Sequence, residues 1–265
     1  MYTPPWPLRL LALLPFRAMG WLSHLLSWLW WYVLPVRRAA ACENLRRAFP
    51  EAEPGPLLRR MMQEVVLGYL EILRFEEVNI EVTGAEALRT EPGFLLAGHL
   101  GSWDLGMLAC SDAVPLAVFL KKPKNRHIFA WLEAVRLQHH LCCLWDGSRL
   151  EQGLAELDSG KNLLFVQDQR LNRGLELPFF GHPARTSVGF AAAIQRRPQR
   201  PVRTVAVWRE GVGRHRVHFA PFPMPERSED PAEDRRLISL AANHWYEEQI
   251  RARPWAWLWL HLRWK

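Results

Sequence analysis

The chain has 265 residues, 49% of them hydrophobic and 23% charged, a composition that excludes a disordered or fibrous protein and suits one catalytic domain. Lys and Arg outnumber Asp and Glu 34 to 27, for a formal net charge of +7, so acidic partners are favoured: nucleic acid, anionic lipid or an acidic carrier protein. Fourteen Trp tilt that choice toward lipid, because indoles gather at the lipid–water boundary.

In chain order, the first predicted element is apolar. Leu10 to Val36 is strongly hydrophobic, and Ala18 to Val36 is a run of nineteen residues without Asp, Glu, Lys or Arg, close to the ~20 that a bilayer-crossing helix needs. Trp21, Trp28, Trp30, Trp31 and Tyr32 cluster in it, and Pro15, Arg17 and His24 interrupt its early part. The alternative is an interfacial or buried helix. The start lacks the basic cluster and small-residue cleavage site of a secretory signal, and Arg37, Arg38, Arg46 and Arg47 follow it, which by the positive-inside tendency leaves the rest cytoplasmic. The predicted organisation is an N-terminal membrane segment over 1–36 and one catalytic domain over 37–265.

Glu51 to Pro56 reads as a turn, and Leu57, Met61, Val65, Val66, Tyr69 and Leu73 follow helical spacing. From Phe94 the pattern alternates. Phe94–Ala97, Leu116–Leu120, Leu141–Trp145, Leu163–Val166 and Val202–Trp208 read as strands, and helices are predicted near Trp103–Ser111, Ile128–His139, Leu150–Asp158 and Ser187–Arg196. Such alternation predicts an α/β domain with a mainly parallel sheet flanked by helices. Arg209 to Gly213 reads as a hairpin turn into Arg216–Phe219, and after a Pro-rich connection Ala232–Arg253 reads as a final helix before a Trp-rich end.

The chemistry is concentrated in Gly98-His99-Leu100-Gly101-Ser102-Trp103-Asp104, where a predicted strand ends and a helix begins at Ser102, a good N-cap residue. Open α/β sheets place their sites at the C-terminal ends of strands. With His99 on the loop and Asp104 in the first helical turn, the two can converge; the carboxylate would fix one imidazole nitrogen and leave the other to take a proton from a hydroxyl. Asp168 follows another predicted strand and is expected to orient Arg136 or another basic side chain at the site, or to cap a helix. Lys121, Lys122, Lys124 and Arg126, with Asn125 among them, form a cationic loop suited to phosphates or acidic residues. Phe179, Phe180 and Gly181 would supply an apolar wall for an acyl chain or belong to the core.

Metal and cofactor signatures are absent: there is no His-Glu-x-x-His, P-loop or Gly-x-Gly-x-x-Gly, so neither a metal nor a cofactor is expected. Cys42, Cys110, Cys142 and Cys143 show neither zinc-ligand spacing nor a disulfide framework. No recognition helix or aromatic stacking platform for nucleic acid is present either.

Several blocks taken together resemble the late acyltransferases of lipid A biosynthesis, within the wider glycerolipid acyltransferases that share a His-x-x-x-x-Asp motif. They are Arg37-Arg38, Glu43-Asn44-Leu45, Phe49-Pro50, Gly98-His99 through Trp103-Asp104, and Pro123-Lys124-Asn125 with Arg136. Further along come Asp168-Gln169, Pro178-Phe179-Phe180-Gly181 with Thr186, Trp257 to His261, and Arg263-Trp264-Lys265. The resemblance implies catalysis by His99 and Asp104; Lys122, Lys124, Asn125, Arg136, Asp168, Gln169, Phe179, Phe180 and Gly181 are the residues expected to contact substrate. It also implies an acyl donor on acyl carrier protein, a phosphorylated glycolipid acceptor, and work on the cytoplasmic face of the inner membrane. Two alternatives stand beside it: the same chemistry on a lysophospholipid, amino-acid lipid or phosphoinositol mannoside, and a non-catalytic lipid-binding protein.

Overall fold

A computed structural model of the protein describes residues 4–170 and 174–264; Lys265 lies outside the described residues. Four helices come first: α1 (Trp6–Ala12), α2 (Phe16–Tyr32), α3 (Arg38–Ala48) and α4 (Pro54–Ile72). An α/β succession follows as β1 (Asn79–Thr83), β2 (Phe94–Ala97), α5 (Trp103–Ala113), β3 (Leu116–Leu120), α6 (Arg126–Gln138), β4 (Cys142–Trp145), α7 (Leu150–Asp158) and β5 (Asn162–Val166). The chain closes with β6 (Leu175–Phe179), β7 (His182–Thr186), α8 (Gly189–Arg196), β8 (Val202–Gly211), β9 (Arg214–Pro221) and α9 (Pro231–Ala252).

Seven strands make one sheet in the order β1-β9-β8-β2-β5-β3-β4, parallel throughout except for the β8–β9 hairpin. All four residues of β2 are buried, and its continuous apolar run reflects a central strand covered on both faces. Leu95 and Ala97 face a layer containing Met107 and Cys110 of α5, while Phe94 and Leu96 face one containing Phe190, Tyr246, Trp257 and Trp259. The alternation of side chains along a strand thus separates two cores. Ala97 lies level with Val166 of β5, which brings the loops after these two strands together at one end of the sheet.

The N-terminal segment departs from a single spanning helix. Among the described residues no single helix is long and apolar enough to cross a membrane; α1 and α2 meet that test only as a pair, and they are bent by 120° at the break between them. Pro15 stands at the N-cap of α2, and Pro35 follows its end, so the nineteen-residue run without charges becomes helix only as far as Tyr32. The buried face of α2 is Met19, Ser23, Ser27 and Trp30, and the helix packs against α4. Both serine hydroxyls are satisfied within their own helix, donating to the carbonyls of Gly20 and His24, so small side chains let the two helices approach without stranding a polar group. The outward face is Trp21, Leu25, Trp28 and Tyr32, each about half exposed or more.

Three features go beyond the predicted elements: α3, β1 and the two-stranded hairpin β6–β7. The Trp-rich end forms one antiparallel bridge, Leu100 with Trp257, which closes it over the loop that carries His99.

Candidate active site

His99 lies two residues beyond Ala97, the end of β2, on the loop that leads into α5. The glycines around it are required by close approach. A Cβ on Gly98 would stand 2.9 Å from the Tyr246 ring, and Gly101 has φ of +59° with the Val207 carbonyl oxygen 2.7 Å from where its Cβ would be. The C-terminal segment pins the same loop from the other side. Gly101 N–H donates to the Ala256 carbonyl at 2.8 Å, and Leu258 N–H to that of His99 at 3.2 Å.

The carboxylate on His99 is Asp168. His99 Nδ1 lies 2.8 Å from Asp168 Oδ1, and Asp168 Oδ2 accepts from the His99 backbone N–H at 2.8 Å and from Trp257 Nε1–H at 2.8 Å. Burial alone would raise the pKa of this fully buried acid, but the charge and hydrogen bonds of His99, helped by Trp257, hold it down to about 2. Burial likewise works against a charged imidazole, yet Asp168, by charge and hydrogen bond, and then Asp104, by charge, hold the His99 pKa above its ordinary value. An ionised acceptor on Nδ1 fixes the tautomer with its proton on that nitrogen and leaves Nε2 as the base. Tyr246 supports the frame: its hydroxyl donates to the Ala97 carbonyl at 2.7 Å and accepts from the Gln167 N–H at 3.2 Å.

Asp104 is in the first turn of α5, as predicted, but its hydrogen bonds go elsewhere. Its Oδ1 accepts from Arg136 Nη2 at 3.3 Å, and it also bonds the Tyr69 hydroxyl, whose pKa is raised by burial and then by the Asp104 charge. Asp104 is thus the carboxylate on Arg136, and the basic side chain that Asp168 orients is His99. Arg136 is buried, and its Nη1 has no partner among the described residues. Ser102 precedes α5 without capping it through its side chain; its hydroxyl accepts from Arg209 at 2.8 Å instead.

Gln169 sits on the other ring nitrogen of His99. Its amide nitrogen is 2.6 Å from His99 Nε2 and 2.7 Å from His261 Nε2, so one NH2 group donates to two imidazoles. Burial, and then the neighbouring His99, push the His261 pKa down to about 4, which keeps that ring a neutral acceptor. A cavity of about 400 Å³ opens at His99, Asp104 and Gln169 and runs beneath α5 to Met107, Cys110, Leu164 and Val205. Seven positions of α5 separate Trp103 from Cys110, a depth of ~10 Å at ~1.5 Å per residue. Lys121 stands on the cavity wall.

The remaining predicted residues lie apart from this mouth. Asn125 is the N-cap of α6, its side chain accepting from the N–H groups of His127 and Ile128. Lys124 is exposed, and Lys122 lies over the rings of Phe129 and Trp145 at 5.7 and 5.9 Å. Phe179, Phe180 and Gly181 lie at the turn of the β6–β7 hairpin, and both Phe rings are buried among Phe49, Trp257 and Trp264. They belong to the core and do not line the cavity. Sequence reasoning misses Trp257, Tyr246 and His261 as supports of the site. Only the block from Trp257 to His261 hints at two of them.

The family model described as bacterial lipid A biosynthesis acyltransferase matches residues 6–265, and the chain belongs to that family. It is an acyltransferase. No curated protein sequence matches it. Among solved structures, the crystal structure of the 1-acyl-sn-glycerophosphate (LPA) acyltransferase PlsC from Thermotoga maritima is similar at 14% identity and a TM-score of 0.41, covering 90% of this chain and 99% of that one.

Proposed function

With family membership as the premise, we propose that the protein moves a fatty acyl group from acyl carrier protein to a hydroxyl of a phosphorylated lipid A precursor at the cytoplasmic face of the inner membrane. The observation that carries this reading is the ionised Asp168 on His99 Nδ1 with Nε2 at the mouth of an apolar cavity. The acyl chain occupies the cavity beneath α5, and its thioester carbonyl rests near His99. The acceptor hydroxyl displaces the Gln169 amide from Nε2 and gives its proton to that nitrogen as its oxygen attacks the carbonyl carbon. When the tetrahedral intermediate collapses, the carbon–sulfur bond breaks and the imidazolium returns the proton to the departing thiolate. Asp168 stabilises the transient imidazolium, and Asp104 fixes Arg136 beside the mouth. The cationic loop at Lys121, Lys122, Lys124 and Arg126 receives the acidic carrier.

The segment over 1–36 holds the 37–265 domain against the bilayer by lying in its interface. The outward stripe of Trp21, Leu25, Trp28 and Tyr32 supports this, since an apolar helix face left to water is otherwise unfavourable. Transfer from an acyl carrier protein thioester to a panel of lipid acceptors tests the reading. His99→Ala should lower kcat by ~10²–10⁴ without loss of fold; near-normal turnover in that variant would overturn it.

A further inference from the structure

A second concavity lies away from the cavity beneath α5. It is an open groove of about 540 Å³ between α2, α4 and the turn of the β8–β9 hairpin, with Trp28 and Tyr32 on one wall and Arg59, Arg60 and Gln63 on the other. Arg59 Nη1 donates to the Tyr32 hydroxyl at 3.2 Å, and the Arg60 guanidinium stacks 3.6 Å from the Trp255 ring centre. Neither arginine has a carboxylate partner among the described residues. The carboxylate in the wall, Glu64, is held at 2.5 Å by Arg209, which also bonds the buried Glu71; with Arg59 and Arg60, the guanidinium groups lining the groove outnumber its one carboxylate.

Its position selects the ligand. Trp28 and Tyr32 belong both to the groove and to the outward stripe of α2, so the groove opens at the level where indole and phenol rings meet lipid headgroups. Guanidinium groups offer paired donors that match phosphate oxygens. Glu64 also lines the narrow cleft that ends on Tyr69 and Asp104, which puts the groove beside the reacting loop. In the sheet, β8 adjoins β2 on this side while β3, with its cationic loop, lies beyond β5 on the other.

We propose that this groove binds the phosphate of a membrane-lipid headgroup, with Arg59 and Arg60 as its ligands and the lipid chains lying along the exposed face of α2. The proposal rests on the interfacial placement of α2 given above and leaves the cationic loop to the protein donor. Binding of the full-length protein to vesicles tests it, using phosphatidylcholine alone, phosphatidylcholine with phosphatidic acid, and phosphatidylcholine with a phosphoglucosamine lipid. Arg59→Gln/Arg60→Gln should weaken binding to a phosphomonoester-bearing vesicle by about fivefold per arginine, while Arg59→Lys/Arg60→Lys should retain most of it. Arg227→Gln/Arg235→Gln, which removes the same charge near the start of α9, should bind as the unaltered protein does. Loss confined to the phosphoglucosamine vesicles identifies the acceptor as the source of the phosphate, and loss on both identifies any lipid phosphomonoester. Equal binding by the Gln variant and the unaltered protein on both vesicles, or equal weakening by the distant pair, would overturn the proposal. Failure to bind any vesicle would instead overturn the interfacial placement of α2.

Discussion

Two carboxylates flank His99, and they occupy different media. Asp168 is wholly buried at the end of β5 and receives three donors, two of them from His99 itself. Asp104 is partly exposed in the first turn of α5 and is shared between a guanidinium and a phenol. The buried acid is rigidly placed and stays ionised because donors converge on both of its oxygens. The exposed acid is placed by a longer contact of 3.3 Å and acts on His99 through charge. Proximity along the chain therefore says less about which carboxylate orients the imidazole than does the number of donors each one gathers.

Exchange of each acid for its amide is the sharpest test of that difference. Asp168→Asn should lower kcat by ~10³–10⁴, since the imidazole loses the partner that sets its tautomer. The base must be neutral, so activity falls as pH drops through the His99 pKa, which Asp168 and Asp104 hold above its ordinary value. Without Asp168, burial is left to act, and the acid limb of the kcat profile should move to lower pH. Asp104→Asn should cost less, ~10–10² as for loss of one charged hydrogen bond, with a smaller movement of the limb in the same direction. A larger loss in the Asp104 variant, measured by steady-state kinetics, would reverse the assignment.

Smaller effects probe the surroundings of Asp168. Trp257→Phe removes one donor from a buried charge and should destabilise the fold by ~1.5–3 kcal/mol, read as a lower urea midpoint. Gln169→Ala removes a donor from the neutral form of His99, an interaction worth about 1 kcal/mol. The His99 pKa of the free enzyme should therefore rise further, and the acid limb of the kcat/KM profile should move to higher pH, while the kcat limb, which reports the complex with Gln169 displaced, should stay in place.

Much of this frame is legible in the sequence. Apolar runs locate β2 to β5 and β8, and helical spacing locates α4 and α5, because buried elements write their period into the chain. β1 is a half-exposed edge strand, and β6 and β7 each carry a proline, Pro178 facing Pro183, so neither region gives a clear alternating signal. The His99 partner is hidden for another reason. Asp168 reaches His99 only because β2 and β5 are neighbours in the sheet, a fact of tertiary structure. The motif spacing points to Asp104, which shares the loop and helix with His99 but bonds Arg136.

The antiparallel bridge between Leu100 and Trp257 gives the site an order in time. A ribosome delivers His99 and Asp168 well before Trp257. Until that residue has emerged and docked, the buried carboxylate lacks one donor and the His99 loop lacks its clasp. The setting of His99 is thereby completed only when a segment far along the chain has folded back onto its loop.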